Sequence, residues 1–161
     1  MAVERLDRRT VLRGAALAAG GALLGGTWGA GGASASTRPK VYTRSDWGAR
    51  APGRQIDVLP QAPTHIVVHH TATANVSDTS TSHAAALSRS IQRYHMQSNG
   101  WSDTGQQLTL SRGGHIMEGR DRSLEAIGAG NHVVGAHTAN HNSHAIGIEN
   151  EGTYATESPP T

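Results

Sequence analysis

The chain has 161 residues, which leaves room for one domain and not comfortably for two. It contains no cysteine, so disulfides and thiolate metal ligands are excluded within these residues. The net charge is only +2, and no basic stripe with interleaved aromatic residues occurs, which argues against a nucleic-acid-binding surface. Ten histidines stand out instead, because histidine is the commonest metal ligand and the usual proton shuttle near neutral pH.

Residues 1–35 have the three parts of an export signal. A basic start with Arg8-Arg9 precedes an apolar, glycine-rich run over 14–32, and Ala33-Ser34-Ala35 gives a cleavage site. The paired arginines and the weakly hydrophobic run resemble a twin-arginine signal. A membrane anchor is the alternative, but the glycines that interrupt the run favour a cleaved signal. We therefore predict a secreted or cell-wall protein without a stable membrane anchor.

The next elements are an approach segment and a strand. Residues 36–63 are polar and punctuated by proline and glycine, and Trp47 is expected to pack there. The β-branched run over 64–70 predicts a buried strand that begins a domain extending over 64–161.

Residues 82–98 are predicted to form a helix, capped by Thr81 or Ser82 and ended by Gly100. Its apolar residues recur at the spacing of one helical face. These are Ala84, Leu87, Ile91 and Tyr94.

The rest of the chain predicts strands and a loop. Residues 107–111 and 115–118 read as a hairpin, 128–143 as a long loop rich in glycine, asparagine and histidine, and 145–149 as a last strand. Strands that alternate with a helix predict an α/β fold with a central mixed β-sheet. A second helix that would cover the other sheet face is missing from the pattern.

Three positions could carry chemistry. His69 and His70 end the first strong strand, where α/β proteins build their sites, although paired histidines in a strand are more often structural. Glu149 ends the last strand, where it is either a desolvated carboxylate that could act as a general base or a solvated carboxylate without such a role. Glu151, one step further out, ranks below Glu149 as a candidate base. His137 lies in the histidine-rich loop, whose spacing matches no compact zinc motif.

Six motifs occur in order and together resemble the peptidoglycan recognition protein and type 2 N-acetylmuramoyl-L-alanine amidase family. The resemblance covers about residues 44–152. It implies a central mixed sheet flanked by helices, with a zinc ion at the floor of a groove. The motifs lie at 45–50 (SDWGAR), 66–73 (IVVHHTAT), 100–105 (GWSDTG), 113–120 (GGHIMEGR), 134–138 (VGAHT) and 142–148 (NSHAIGI).

The resemblance also implies roles for individual residues. His69 matches a zinc ligand of the family, and His70 is then expected to point away and pack. Glu149 matches the catalytic acid/base of the intracellular branch. Gln106 stands where many recognition-type amidases have a tyrosine, so it departs from that branch. Trp101, His137 and Asn142 are expected to contact the substrate; these three residues would serve a binder or an enzyme equally.

The sequence departs from the family in its zinc ligands. The family's second zinc histidine lies in a Gly-His-Arg-Asp motif and its third ligand is a later Cys or Asp, and neither has a match in this chain. We therefore expect a domain that is truncated at its C-terminus. A substitute ligand set of His69, His137 and His141 is conceivable, but no recognised spacing supports it.

Three functions compete at this stage. The first is a zinc-dependent N-acetylmuramoyl-L-alanine amidase, a monomer that hydrolyses the bond between N-acetylmuramic acid and L-alanine in peptidoglycan. The second is a non-catalytic module that binds peptidoglycan or muropeptides. Glu149 favours the enzyme, because a pure binder needs no acid/base there. The third is a histidine-rich metal buffer, which predicts several metal ions per chain and no affinity for peptidoglycan.

Overall fold

A computed structural model of the chain describes residues 38–155. The predicted export signal, residues 1–35, lies outside the described residues, as do residues 156–161. Among the helices of the described part, none is both long and apolar enough to span a bilayer. The predicted division into segments 1–35, 36–63 and 64–161 stays a prediction.

The described residues form a mixed five-stranded sheet, a two-stranded sheet and three helices. The five-stranded sheet has the order β1-β5-β4-β7-β3, in which β4 and β5 are antiparallel and the other neighbours are parallel. The α/β fold with a central mixed sheet and flanking helices is therefore confirmed. In chain order the elements are β1 (Val41–Tyr42), α1 (Arg44–Trp47), β2 (Val58–Leu59), β3 (His65–His70), α2 (Thr81–Gln97), β4 (Leu108–Leu110), β5 (Ile116–Glu118), α3 (Ser123–Gly128), β6 (His132–Val133) and β7 (Ala145–Asn150).

Strand β3 forms as predicted, but the prediction that it is buried is wrong. It lies at the edge of the sheet beside β7, and Ile66 and Val68 are 64% and 63% exposed. Their partners Ile146 and Ile148 on β7 are partly exposed. Both helices α1 and α2 pack on the opposite face, where Trp47, Ala84 and Met117 form a core. The expected bare sheet face is therefore seen within residues 38–155.

Helix α2 forms close to the predicted bounds, but its cap differs from the prediction, and of the predicted apolar face only Ala84 is fully buried. Ser80 is the cap, because its hydroxyl accepts a hydrogen bond of 3.1 Å from the His83 N–H. The buried residues are Ala84, Ser88 and Gln92, whereas Tyr94 is 59% exposed. Polar residues can occupy the buried side because each is satisfied: Ser88 donates to the Ala84 carbonyl, and Gln92 bonds Arg50 and Asp103.

The predicted long loop over 128–143 is interrupted by structure. Helix α3 ends at Gly128, and β6 pairs antiparallel with β2 to form the two-stranded sheet. A small second core of Ile56, Ala126 and Val133 holds these pieces together. The sequence did not predict β2, β6 or α3, because strands of two residues and a helix of six are too short to show a hydrophobic period.

Candidate active site

The register of the parallel strands brings His69 and Glu149 side by side. His69 on β3 pairs with Glu149 on β7, and Glu149 pairs with Thr109 on β4, so the three side chains share the sheet face that α2 covers. Both residues lie near the carboxyl ends of their strands, where a crevice opens in α/β folds. A cavity of about 140 Å³ occupies this position. It is lined by His69, His70, His95, Trp101, Gln106, Ala136, His137 and Glu149.

Glu149 is held in a poorly solvated environment. Burial raises the pKa of its carboxyl above the usual value, because the charged form loses hydration. A carboxylate whose pKa moves towards neutrality is suited to take a proton and return it. The arrangement at Glu149 therefore fits an acid/base role better than a solvated strand end.

Two imidazole nitrogens of the cavity and a neighbouring hydroxyl form a nearly equilateral triangle. His69 Nε2, His137 Nδ1 and Thr138 Oγ1 are each 3.1 Å from the other two. His137 Nε2 lies 3.2 Å from the Ala145 carbonyl, which can only accept, so the proton sits on Nε2 and Nδ1 is left as an acceptor. Burial lowers the pKa of both imidazoles, which keeps them neutral at pH 7.

His137 is fixed in place by its surroundings. Asn142 Oδ1 accepts the backbone N–H groups of His137 and Thr138 at 2.8 and 3.0 Å. The His137 ring fills space that only glycine leaves open, since a Cβ at Gly135 or at Gly147 would come within 2.6 Å of it. The structure thus gives Asn142 a role in shaping the loop that presents His137.

His95 and Trp101 form another wall of the cavity. Their ring centroids are 4.7 Å apart, Trp101 is 36% exposed, and the Gly105 N–H donates to His95 Nδ1 at 3.1 Å. Burial lowers the pKa of His95 to about 4. Sequence reasoning missed His95, although its spacing from Ser88 and Gln92 places it on the buried side of α2.

A second, larger groove of about 410 Å³ shares Glu149 and His95 with the cavity. Part of the apolar face predicted for α2 lines this groove, with Leu87, Ile91 and Tyr94 on one side. Thr71 and Thr73 lie on the other side. Glu149 therefore lies where a small polar cavity and a larger, partly apolar groove meet.

The remaining histidines are held by partners outside the triangle of His69, His137 and Thr138, although His70 also lines the cavity. His70 Nδ1 accepts the Tyr154 N–H at 3.1 Å, and buried His132 lies 2.9 Å from the Asn142 carbonyl. His141 is 3.1 Å from His144, so the conceivable ligand set of His69, His137 and His141 does not assemble.

Comparisons with known proteins fit this geometry. A family model described as N-acetylmuramoyl-L-alanine amidase matches residues 59–161. The chain belongs to the N-acetylmuramoyl-L-alanine amidase family.

Individual relatives agree with that membership. The human N-acetylmuramoyl-L-alanine amidase is 38% identical over 122 residues, which are 75% of this chain and 19% of the relative. Peptidoglycan-recognition protein SC2 of Drosophila melanogaster is 35% identical over 116 residues, 72% of this chain and 56% of the relative. The chain thus spans about a fifth of the length of the human relative and just over half of the length of the fly relative.

Two solved structures share the fold. Wild-type Drosophila PGRP-LB superposes with a TM-score of 0.63 at 30% identity, covering 75% of this chain and 65% of that one. The second is peptidoglycan recognition protein LE, solved in complex with tracheal cytotoxin, a monomeric diaminopimelic acid-type peptidoglycan. It superposes with a TM-score of 0.62 at 30% identity, covering 73% of this chain and 62% of that one.

The family resemblance implies zinc, and the donor atoms of the cavity can be tested against it. A catalytic zinc site needs three protein ligands and an open position. Residues 38–155 bring together two imidazoles and one hydroxyl, but no group of three His, Cys, Asp or Glu side chains that could hold a metal ion. The described part of the chain does not complete the family's zinc site, and we derive no chemical step from a metal.

Gln106, which by the resemblance stands in place of a tyrosine, is a buried and hydrogen-bonded side chain. It is 1% exposed, and its amide Nε2 donates to Thr109 Oγ1 at 2.9 Å. An amide tied down in this way cannot supply the ionisable hydroxyl of a tyrosine. Glu149 remains the carboxylate that lines both the cavity and the groove.

Proposed function

We propose that the protein is a secreted, cell-wall-directed amidase that hydrolyses the bond between N-acetylmuramic acid and L-alanine in peptidoglycan. In this proposal zinc is the cofactor and His69 is one of its ligands. The observation that carries the proposal is Glu149, a poorly solvated carboxylate in register with His69 at the junction of the cavity and the groove. The names of the human and fly relatives support the choice of peptidoglycan.

Glu149 would perform both proton transfers of the hydrolysis. As a carboxylate it takes a proton from the attacking water while the water oxygen bonds to the amide carbonyl carbon. Negative charge develops meanwhile on the carbonyl oxygen. Glu149 then gives its proton to the alanine nitrogen as the carbonyl re-forms and the C–N bond breaks, so the carboxylate is regenerated. Burial favours this cycle, because a raised pKa makes Glu149 a better acceptor for the first proton.

Substrate placement follows from the two spaces that meet at Glu149. The groove beside Leu87, Ile91 and Tyr94, with a volume of about 410 Å³ and a partly apolar lining, would hold the peptide stem. The cavity beside Trp101 and His137 would hold the end of the substrate nearest the sugar.

The test compares Glu149→Gln with the wild type, assayed with zinc chloride and a muramyl peptide whose sugar is joined to L-alanine. Product is followed by chromatography, and binding by calorimetry. We expect hydrolysis to fall by about 10²- to 10⁴-fold while affinity is retained, because the amide keeps the shape and loses the proton transfer. Glu125→Gln is the matched control, since Glu125 is an exposed carboxylate paired with Arg122. Turnover that survives in Glu149→Gln removes Glu149 from the mechanism.

The second candidate is a module that binds muropeptides without cutting them. It is favoured by the incomplete zinc ligand set within residues 38–155. A wild-type protein that binds the muramyl peptide but shows no turnover with zinc would establish this alternative. An affinity that falls on Trp101→Ala would then place the ligand in the same cavity.

A further inference from the structure

A pair of histidines outside the cleft has the geometry of a metal site. His141 Nδ1 and His144 Nε2 are 3.1 Å apart, with ring centroids 5.1 Å apart and planes at 67°. His144 precedes β7, whereas Glu149 lies near its other end. Five residues of strand at about 3.3 Å each put roughly 16 Å between their backbones. The pair is therefore separate from the proposed acid/base.

We propose that His141 and His144 bind one divalent late first-row transition-metal ion, namely Zn²⁺, Ni²⁺ or Cu²⁺. An ion at about 2.05 Å from both nitrogens, the usual zinc–imidazole distance, would subtend an N–metal–N angle of about 98°. That angle lies between the ~90° of octahedral or square-planar sites and the ~109° of tetrahedral sites. Imidazole nitrogen suits these three ions and not Mg²⁺ or Ca²⁺. Water completes the coordination, because no third side chain of the His, Cys, Asp or Glu type joins the pair within residues 38–155.

The surrounding atoms leave the two nitrogens available. The Ser143 hydroxyl lies 3.5 Å from His144 Nδ1 and can accept a proton carried there, so the tautomer with a bare Nε2 is compatible with its surroundings. His141 is exposed, so its Nε2 proton can be solvated by water. In the described part of the chain, neither residue forms an ion pair with a carboxylate. The neighbouring His65 ring contacts the His144 ring edge to face, with centroids 5.4 Å apart. His65 Nδ1 is hydrogen-bonded to the Thr64 hydroxyl.

The backbone already holds the pair in position. The turn is closed by hydrogen bonds from His144 N and Ala145 N to the His141 carbonyl, at 3.1 and 2.9 Å. Asn142 lies inside this turn, and its side chain holds the backbone of His137 and Thr138. An ion across His141 and His144 would clamp the turn and thereby stabilise the loop that carries His137. The site is thus structural, and it exists whether or not the cleft hydrolyses peptidoglycan.

The test is calorimetric titration of the full chain with zinc, nickel and copper chlorides, one at a time. We expect His141→Ala and His144→Ala each to weaken one site by more than the about 10- to 100-fold that loss of an outer-shell partner costs. His69→Ala, which removes the cleft imidazole, and the exposed neighbour His65→Ala should leave this site in place. Circular dichroism checks that each variant folds, and the milder His141→Gln and His144→Gln are used if alanine disrupts the turn.

Two outcomes overturn the proposal. One is an unchanged titration in both pair variants, which would mean that the histidines only share a proton. The other is a titration abolished by His69→Ala alone, which would assign the ion to the cleft. X-ray absorption of the copper-loaded wild type gives a second measurement, in which two imidazole nitrogens at about 2.0 Å are expected.

Discussion

Gly147→Ala gives a direct test of how the cleft is packed. Gly147 lies on β7, and a Cβ there would come within 2.6, 2.7 and 2.8 Å of three atoms of the His137 ring. Contacts this short force the ring to move. The ring has little freedom to move, because it is hydrogen-bonded to the Ala145 carbonyl, to His69 and to Thr138.

The expected cost follows from these contacts. Inserting one methyl group into a well-packed site costs about 1–3 kcal/mol. We expect the upper part of this range, about 2–3 kcal/mol, because the displaced ring also loses hydrogen bonds worth about 1 kcal/mol each. Affinity for a muramyl peptide should fall as well if His137 contacts the ligand as proposed.

Urea unfolding of the wild type and variants measures the cost, and Gly128→Ala is the matched control. A Cβ at Gly128 meets nothing within 4 Å, so this change should be neutral or stabilising by up to about 1 kcal/mol. In a His137→Ala background the ring is gone, and most of the cost of Gly147→Ala should disappear. A cost that persists in that background, or one no larger than that of Gly128→Ala, would refute the reasoning.

Two further predictions concern the buried polar groups around α2. Asp103 is 0% exposed and accepts hydrogen bonds from Arg44, Gln92 and the Asp121 N–H. Asp103→Asn should therefore lower the free energy of unfolding, measured by urea titration, by about 3 kcal/mol. The exposed control Glu125→Gln should lower it by less than about 0.5 kcal/mol. Burial lowers the pKa of His95 from 6.5 to about 4, with a further lowering by Arg120 and an opposing effect of Asp103. The unfolded chain therefore binds this proton more readily than the folded chain, and the free energy of unfolding falls as the pH drops from 6.5 to about 4. The loss of stability in the wild type should be about 1–2 kcal/mol, after allowance for the partial exposure of the ring, and should be smaller in His95→Gln. Equal losses in the wild type and in His95→Gln would contradict this prediction.

The strands that carry the cleft were predictable from local pattern, whereas their pairing was not. The β-branched run before His69 and the alternation before Glu149 each predict a strand with a polar residue at its end. Nothing in either segment says that they become neighbours in register, because the crossover between them spans more than 70 residues and includes α2, β4 and β5. Thr138 and His95 were missed for the same reason: Thr138 meets His69, and His95 meets Glu149 in the cavity lining, only because segments distant in the chain come together.

The polar side that α2 buries is the most informative feature that the sequence pattern did not reveal. The rule that an apolar stripe faces the core holds when the core is apolar, but here the helix buries Ser88 and Gln92 against Asp103 and Arg50. The stripe of Leu87, Ile91 and Tyr94 is left beside an open groove that leads to Glu149. Keeping apolar side chains partly exposed while polar ones are buried costs stability, and local rules tend to be broken in this way at functional sites. The displaced stripe therefore supports the groove as the place where a ligand lies, on grounds independent of the family to which the chain belongs.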